Sequence, residues 1–316
     1  MLLLFTHLEA LKRAVTDEVS LLTNTTRLAE AGPVVIMAVN EGDLVLLLNF
    51  ACSMARAGAA TAGVPTLVFT NSPEMKASID ALGGSVRGIY HHSFPAMGMG
   101  QRSSEAYLDK AFGEAMWFKA MAAFIVAETG LDLLFQDADV VWFRNPFEYF
   151  AATPRADVYY SDNGLRTMRM APAFANSGVY FVRSNPRSRH FLQSVLLAYD
   201  STALTGSHQT VFNEKLAEAL ELGRLSPQPL PADLFPHGLK VVRDRAYMEA
   251  LARGLRSPYL FHMCWTANKE QKMANFRSSG MLYLTSACER ASASASAVLG
   301  LVENIIGGKG KCCTTL

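Results

Sequence analysis

The sequence predicts an α/β fold with a mostly parallel sheet flanked by helices, and three observations carry that expectation. Short apolar runs alternate with helical stretches between residues 33 and 90. A further apolar run, Leu133-Leu134-Phe135-Gln136, ends in the paired acids Asp137 and Asp139. No clean linker interrupts the chain before residue 291. Strand, helix and strand at this spacing mark βαβ units, whose crossovers impose parallel pairing.

Taken in order, residues 1–31 pattern as an amphipathic helix with a capping stretch at Thr23 to Thr26. Pro33 to Asn40 is apolar on both faces, as a buried parallel strand requires. Glu41-Gly42-Asp43 reads as a turn into a helix over Leu44 to Gly58. Thr66 to Thr70 is the second strand; Ser72-Pro73 opens a helix that Gly83-Gly84 closes, and Val86 to Tyr90 is the third strand. His91 to Ser104 is a Gly/Met/Ser-rich loop, and Ala106 to Glu128 a long helix leading into the acid-bearing strand. Beyond Pro146 the alternation loses its regularity. Asp157 to Asp162 and Val179 to Val182 read as strands, Pro186 to Asp200 and Gln209 to Leu220 as helices. Ala291 to Ala297 alternates Ala and Ser, so 291–316 reads as a low-complexity, flexible tail behind one domain over 1–290.

Composition narrows the function classes. Half of the 316 residues are hydrophobic, 18% are charged and the net charge is +1, a globular profile with no footprint for nucleic acid. Five cysteines, odd in number and without metal-type spacing, imply neither a disulfide framework nor a zinc site. The apolar runs Met1 to Phe5 and Leu44 to Cys52 are too short for a signal core or a membrane span, so no transmembrane segment is expected. The sequon Asn24-Thr25-Thr26 matters only on a secretory route. The end, Cys312-Cys313-Thr314-Thr315-Leu316, has threonines where a prenylation box has aliphatic residues, and reads as a frayed tail.

The chemistry begins at Asp137-Ala138-Asp139. Strand alternation would project both carboxylates to one side and Ala138 to the other. Two acids so close repel each other unless a cation offsets them, and hard oxygen donors suit Mg²⁺ or Mn²⁺ shared with a diphosphate. Ligands of open α/β sheets bind outside the carboxyl ends of strands. That rule gathers Val39 and Asn40, Asn71, and Asp137 to Asp139 around one crevice. His262 offers an imidazole to the metal, and Lys269 and Lys272, spaced i, i+3, share one helical face that could grip phosphate. Lys119 stands alone on an apolar helix, as a donor contact or as a snorkelling surface lysine.

The block Asp137-Ala138-Asp139-Val140-Val141-Trp142-Phe143-Arg144-Asn145-Pro146 resembles the signature of the nucleotide-diphospho-sugar transferases of glycosyltransferase family 77, which includes plant and algal arabinosyl-, xylosyl- and galactosyltransferases. The resemblance covers roughly residues 33–285. It implies a GT-A-type fold, with a nucleotide-binding half at about 33–145 and an acceptor half with a smaller mixed sheet at about 146–285. It also implies a UDP-sugar donor, Mn²⁺ (or Mg²⁺), a glycan or glycoprotein acceptor and retention of anomeric configuration. Golgi-lumen residence follows from it too, while the missing anchor leaves the cytoplasm open.

Residue by residue, His262 would close the metal shell, Lys269 or Lys272 would neutralise the diphosphate and Lys119 would face the donor. Asn176, in Asn176-Ser177-Gly178 ahead of a strand, and Asp162 would read sugar hydroxyls. Gln209, in a segment where His208 replaces the usual acid, would orient the reactive face of the sugar; an amide is a poor nucleophile. Phe235-Pro236-His237-Gly238 resembles a structural turn, and His262-Met263-Cys264-Trp265 departs from the usual pattern.

Two rival readings stay open. A nucleotidyltransferase or pyrophosphatase also needs strand-end carboxylates, although Asn40-Glu41-Gly42-Asp43 is acidic where a phosphate loop would be Gly-rich and basic. A carbohydrate-binding relative without turnover is the other.

Overall fold

The computed structural model describes residues 2–25, 27–97, 110–153, 155–164, 174–307 and 310–314. Nine strands are present among them: β1 (Val34–Ala38), β2 (Thr66–Thr70), β3 (Val86–Tyr90), β4 (Leu133–Gln136), β5 (Val140–Trp142), β6 (Val158–Asp162), β7 (Ala175–Val182), β8 (Pro227–Leu230) and β9 (Leu260–His262). Seven form one sheet in the order β3-β2-β1-β4-β7-β6-β8, and β5 pairs with β9 in a second. The β3-β2-β1-β4 run is wholly parallel, β7 is antiparallel to β4 and to β6, and β8 is parallel to β6.

Alternation along β1 builds both sides of the core. Val35 and Met37 pack on one face with Leu47, Phe50 and Ala51 of helix Leu44–Ala57. Val34 and Ile36 pack on the other with Phe118 to Ala127 of helix Lys110–Glu128. Helix Leu2–Thr23 covers that second face through Leu4, Leu11, Val15 and Val19. Apolar on both faces, β1 has to lie in the middle of the sheet. The predicted start of the long helix at Ala106, and residues 98–104 of the predicted loop, lie outside the described residues.

Four expectations are corrected. Strand β4 stops at Gln136, so Asp137 to Asp139 occupy the turn between β4 and β5 rather than a strand. Asn176-Ser177-Gly178 lies inside β7, because the pairing with β6 continues past an irregularity at Tyr160/Ser161 to Asp162 and Ala175.

Residues 291–316 are not a loose tail over their described part. Helix Ala295–Val302 buries Val298 and Val302, and Ile305 and Ile306 are buried after it. The main chain continues by docking on the 73–80 helix exit, Asn304 N–H to Ala81 C=O (2.7 Å) and Ile306 N–H to Leu82 C=O (3.1 Å). Gly84, at φ +56°, leaves the space that Ile306 fills. Four cysteines are paired, Cys52 with Cys313 and Cys288 with Cys312, leaving Cys264 free. These pairs overturn the expectation of no disulfides and remove both thiols of the prenylation-like ending. The pairing is set by how the tail folds back, which spacing along the chain does not encode. Among the described residues no helix is long and apolar enough to cross a membrane.

Candidate active site

The short sheet explains why the acids are followed by Val140-Val141-Trp142. These residues form β5, antiparallel to β9 with Val140 opposite His262, so the pairing carries the imidazole to the acidic turn. Met263 N–H donates to Asp139 C=O (2.9 Å), and Asp137 N–H to Gly178 C=O (2.8 Å). Trp142 locks the turn from behind: its indole N–H donates to Gln136 Oε1 (2.8 Å) and its backbone N–H to Ser53 Oγ (2.9 Å). The Phe235–Gly238 segment holds His262 on the far side, with His262 N–H to Pro236 C=O (3.0 Å) and Gly238 N–H to His262 C=O (2.9 Å).

The outcome is one cluster. His262 Nε2 is 3.3 Å from Asp139 Oδ1 and 3.8 Å from Asp137 Oδ2. Asp137, Asp139 and His262 each offer a ligand atom within 4.8 Å of the others. A divalent cation fits this set on two further observations. Asp139 Oδ1 and His262 Nδ1 are buried without a hydrogen-bond partner. A Cβ at Gly178 would sit 2.5 Å from His262 Cε1 and 2.6 Å from Asp137 Oδ2, so glycine keeps the cradle open.

Cations neutralise the acids. Lys119 Nζ lies 2.6 Å from Asp137 Oδ1, and Lys272 Nζ 2.6 Å from Asp139 Oδ2. Burial would raise the Asp139 carboxyl, but Lys272 and His262 outweigh it and hold it well below the usual range. Burial would likewise lower Lys272, yet Asp139 keeps it raised. The buried His262 is held well above its ordinary value, because Cys264 and Asp139 together outweigh its desolvation.

Lys269 diverges from Lys272. Its Nζ donates to Gly42 C=O (2.8 Å), tying helix Lys269–Ser278 to the turn after β1. That turn carries Asp43, which sequence reasoning passed over. Burial raises its carboxyl against the pull of Lys272, Lys119 and Lys269, so Asp43 shares the field of all three lysines. An acid opening a helix beside a strand end was the available signal. Asn40 and Asn71 are buried at the carboxyl ends of β1 and β2. Val39 is fully buried with its N–H on Phe69 C=O (2.9 Å), and Ala138 is 8% exposed, which leaves mainly their backbones to a ligand.

The remaining residues around the cluster are mostly amides. Asn176 Oδ1 accepts from Gly178 N–H (2.8 Å), and its Nδ2 faces Asn163 Oδ1 (3.2 Å) and Cys264 Sγ (3.6 Å). Gln209 Oε1 accepts from Ser177 N–H (3.2 Å), which brings it beside β7. Asp162 ends β6 and accepts from Gly164 N–H (3.1 Å). His208 is buried with Nδ1 3.1 Å from Met116 Sδ; desolvation, helped by Lys119, pushes it down to about 3, so it stands neutral where an acid was expected. Cys264 is half-buried next to the metal-type cluster; burial opposes its ionisation, but His262 and His237 bring the thiol down to about 6.

An acidic turn with a histidine, flanked by lysines and set at the carboxyl edge of a parallel sheet, is an arrangement that could hold a divalent cation beside a diphosphate. The family model for nucleotide-diphospho-sugar transferases matches residues 73–276, and the chain belongs to that family. Its main sheet is mostly parallel and flanked by helices, an α/β fold. The chain is 24% identical to arabinosyltransferase XEG113 of Arabidopsis thaliana over 226 residues, 63% of this chain and 34% of that protein. The match therefore spans about a third of the plant relative. Among solved structures, the galactosyltransferase LgtC with donor and acceptor sugar analogues is 12% identical, covering 82% of this chain and 99% of that one, at a TM-score of 0.48. Mouse xyloside xylosyltransferase 1 is 16% identical, covering 74% and 98%, at a TM-score of 0.44.

Proposed function

We propose that this protein transfers a sugar of the arabinose, xylose or galactose type from a UDP-sugar to a hydroxyl of a glycan or glycoprotein, with retention, using Mn²⁺ or Mg²⁺. The observation that carries the reading is the convergence of Asp137, Asp139 and His262 between Lys119 and Lys272. Those three ligands would hold the cation, which when bound offsets charge on the departing diphosphate. The lysines supply the rest. Paired to the aspartates without a ligand, they stand poised to contact phosphate oxygens once the carboxylates are engaged. Asn40, Asn71 and the main chain of Val39 and Ala138 would receive the nucleoside.

Asn176, Gln209 and Asp162 would orient the sugar. Gln209 is held by Ser177 N–H with its oxygen already used, which suits positioning rather than covalent attack. Retention then follows from same-face attack through a short-lived ion pair; a trapped glycosyl-enzyme adduct would overturn that step.

We also propose residence in the Golgi lumen. Two disulfides persist in oxidising compartments and are rare in a reducing cytosol. Thiol labelling of the denatured, unreduced protein should find one free cysteine of five; five would remove this support.

Titrating UDP by calorimetry with and without Mn²⁺ tests the main reading. Metal-dependent binding is expected, with none in Asp139→Ala. Absence of UDP binding in both conditions would sink it, and release of pyrophosphate rather than UDP in turnover would favour nucleotidyl chemistry.

A further inference from the structure

Trp265 carries an unspent backbone strain next to the site. It sits at φ +61°, in the left-handed region, where a bulky side chain is a genuine outlier. Such a conformation costs on the order of 1–2 kcal/mol and persists only where its surroundings over-determine it. They do so here. Cys264 N–H donates to the His262 carbonyl two residues back (2.9 Å), tightening the chain immediately before Trp265. Gly238 packs its Cα against the Cys264 carbonyl so closely that no Cβ would fit. On the other side, Ala267 N–H is held by Gln271 Oε1 (2.7 Å), and Asn268 caps the next helix through Gln271 N–H (2.9 Å).

All that constraint presents an indole to solvent. Trp117 and Trp142 are 5% and 2% exposed and part of the core, whereas Trp265 is 39% exposed. Among the described residues its ring stacks on no other aromatic. In the chain it directly follows Cys264, whose thiol faces Asn176, and Asn163 and His237 gather around that pair. That group offers hydrogen-bond donors and acceptors and lacks the lysines of the diphosphate flank. A neutral polyhydroxyl ligand fits such a group, and the apolar C–H face of a sugar ring fits an exposed indole.

We propose that Trp265 is the platform on which the sugar ring of the acceptor stacks. The assignment rests on the transferase reading above and adds to it a binding surface for the second substrate. Strain in the free protein holds the ring at the rim, so no ordering is left to be done when the acceptor arrives.

The test uses intrinsic fluorescence, since Trp265 is the half-exposed one of three tryptophans. Protein loaded with UDP and Mn²⁺ is titrated with methyl arabinofuranoside, methyl xylopyranoside and methyl galactopyranoside. At least one should shift the emission saturably. Acceptor affinity, read by ligand-observed NMR, should fall about ten-fold in Trp265→Gly and recover in part in Trp265→Phe, a size in keeping with one lost aromatic contact. Glycine accepts φ +61° without strain, so that variant should fold at least as well as the parent.

If none of the three glycosides moves the emission, or if Trp265→Gly binds them as the parent does, the proposal is wrong. An emission change on UDP alone, with UDP affinity lost in Trp265→Gly, would make the ring a nucleotide platform and equally overturn it. Failure of UDP·Mn²⁺ to bind at all by calorimetry would instead count against the transferase reading, so the two failures are distinguishable.

Discussion

The two flanks of the Asp137–Asp139–His262 cluster are built from opposite materials. On one side Lys119, Lys269, Lys272 and Asp43 crowd into a charged wall; on the other stand Asn163, Asn176, Gln209, Cys264 and Trp265, amide, thiol and indole. A cationic wall stabilises charge that grows on a leaving diphosphate, and it acts best when already in place. The amide-rich wall would instead offer hydrogen bonds to a polyhydroxyl group.

Breaking the centre should have the largest effect. Asp139→Asn removes one of two acids in the metal-type cluster and should lower turnover by about a thousand-fold or more, measured as UDP release, with little loss of acceptor binding. Next is the charged wall. Lys272→Met strips the partner from the buried Asp139, which should cost about 3–5 kcal/mol in urea unfolding. Millimolar Mn²⁺ should restore much of that loss by supplying the missing charge. Stability indifferent to Mn²⁺ would argue that the cluster takes no cation.

Gly178→Ala sharpens the boundary between the flanks, because its Cβ would push on His262 and Asp137 together. Metal affinity should fall about 10–100-fold, with stability changed by about 1–3 kcal/mol. The smallest effect near neutral pH belongs to His208. Its folded value lies at about 3, below the ordinary value of an unfolded histidine, so the unfolded chain binds the proton first. Stability is therefore complete above about pH 6.5 and drains away as pH falls toward 3, by up to about 4 kcal/mol. His208→Asn should flatten that part of the pH–stability curve; an unchanged slope would assign it to other groups.

The strands and helices of the first 145 residues were legible because β1, β2 and β4 are apolar on both faces and helix signals such as Ser72-Pro73 are local. Asp137, Asp139, His262, Lys119 and Lys272 could be picked out as chemistry-bearing residues for the same reason: each departs from its local pattern. Their distances could not be read. His262 reaches the acids only through the β5–β9 pairing, and Gly178 matters only because two side chains from elsewhere converge on it. Asp43 was passed over although it opens a helix beside a strand end, and Cys264, two residues from His262, was read only as part of a departure from the usual pattern. The disulfides were missed because five cysteines, odd in number and without regular spacing, suggest no pairing; docking of the segment through Val298, Val302 and Ile305 is what brings Cys312 and Cys313 back to their partners.

The bond between Cys52 and Cys313 joins residues 261 positions apart. During synthesis at roughly 5–20 residues per second, Cys52 waits on the order of 10–50 s before its partner has even been made. Cys264 and Cys288 emerge in that interval and offer wrong pairings. Closure therefore comes only once both cysteines have been made, by when helix Leu44–Ala57 can have settled on the sheet and concealed Cys52 within the core. Burial acts here as a chaperone of one thiol: the fold keeps it from early partners until a segment made long afterwards returns to claim it.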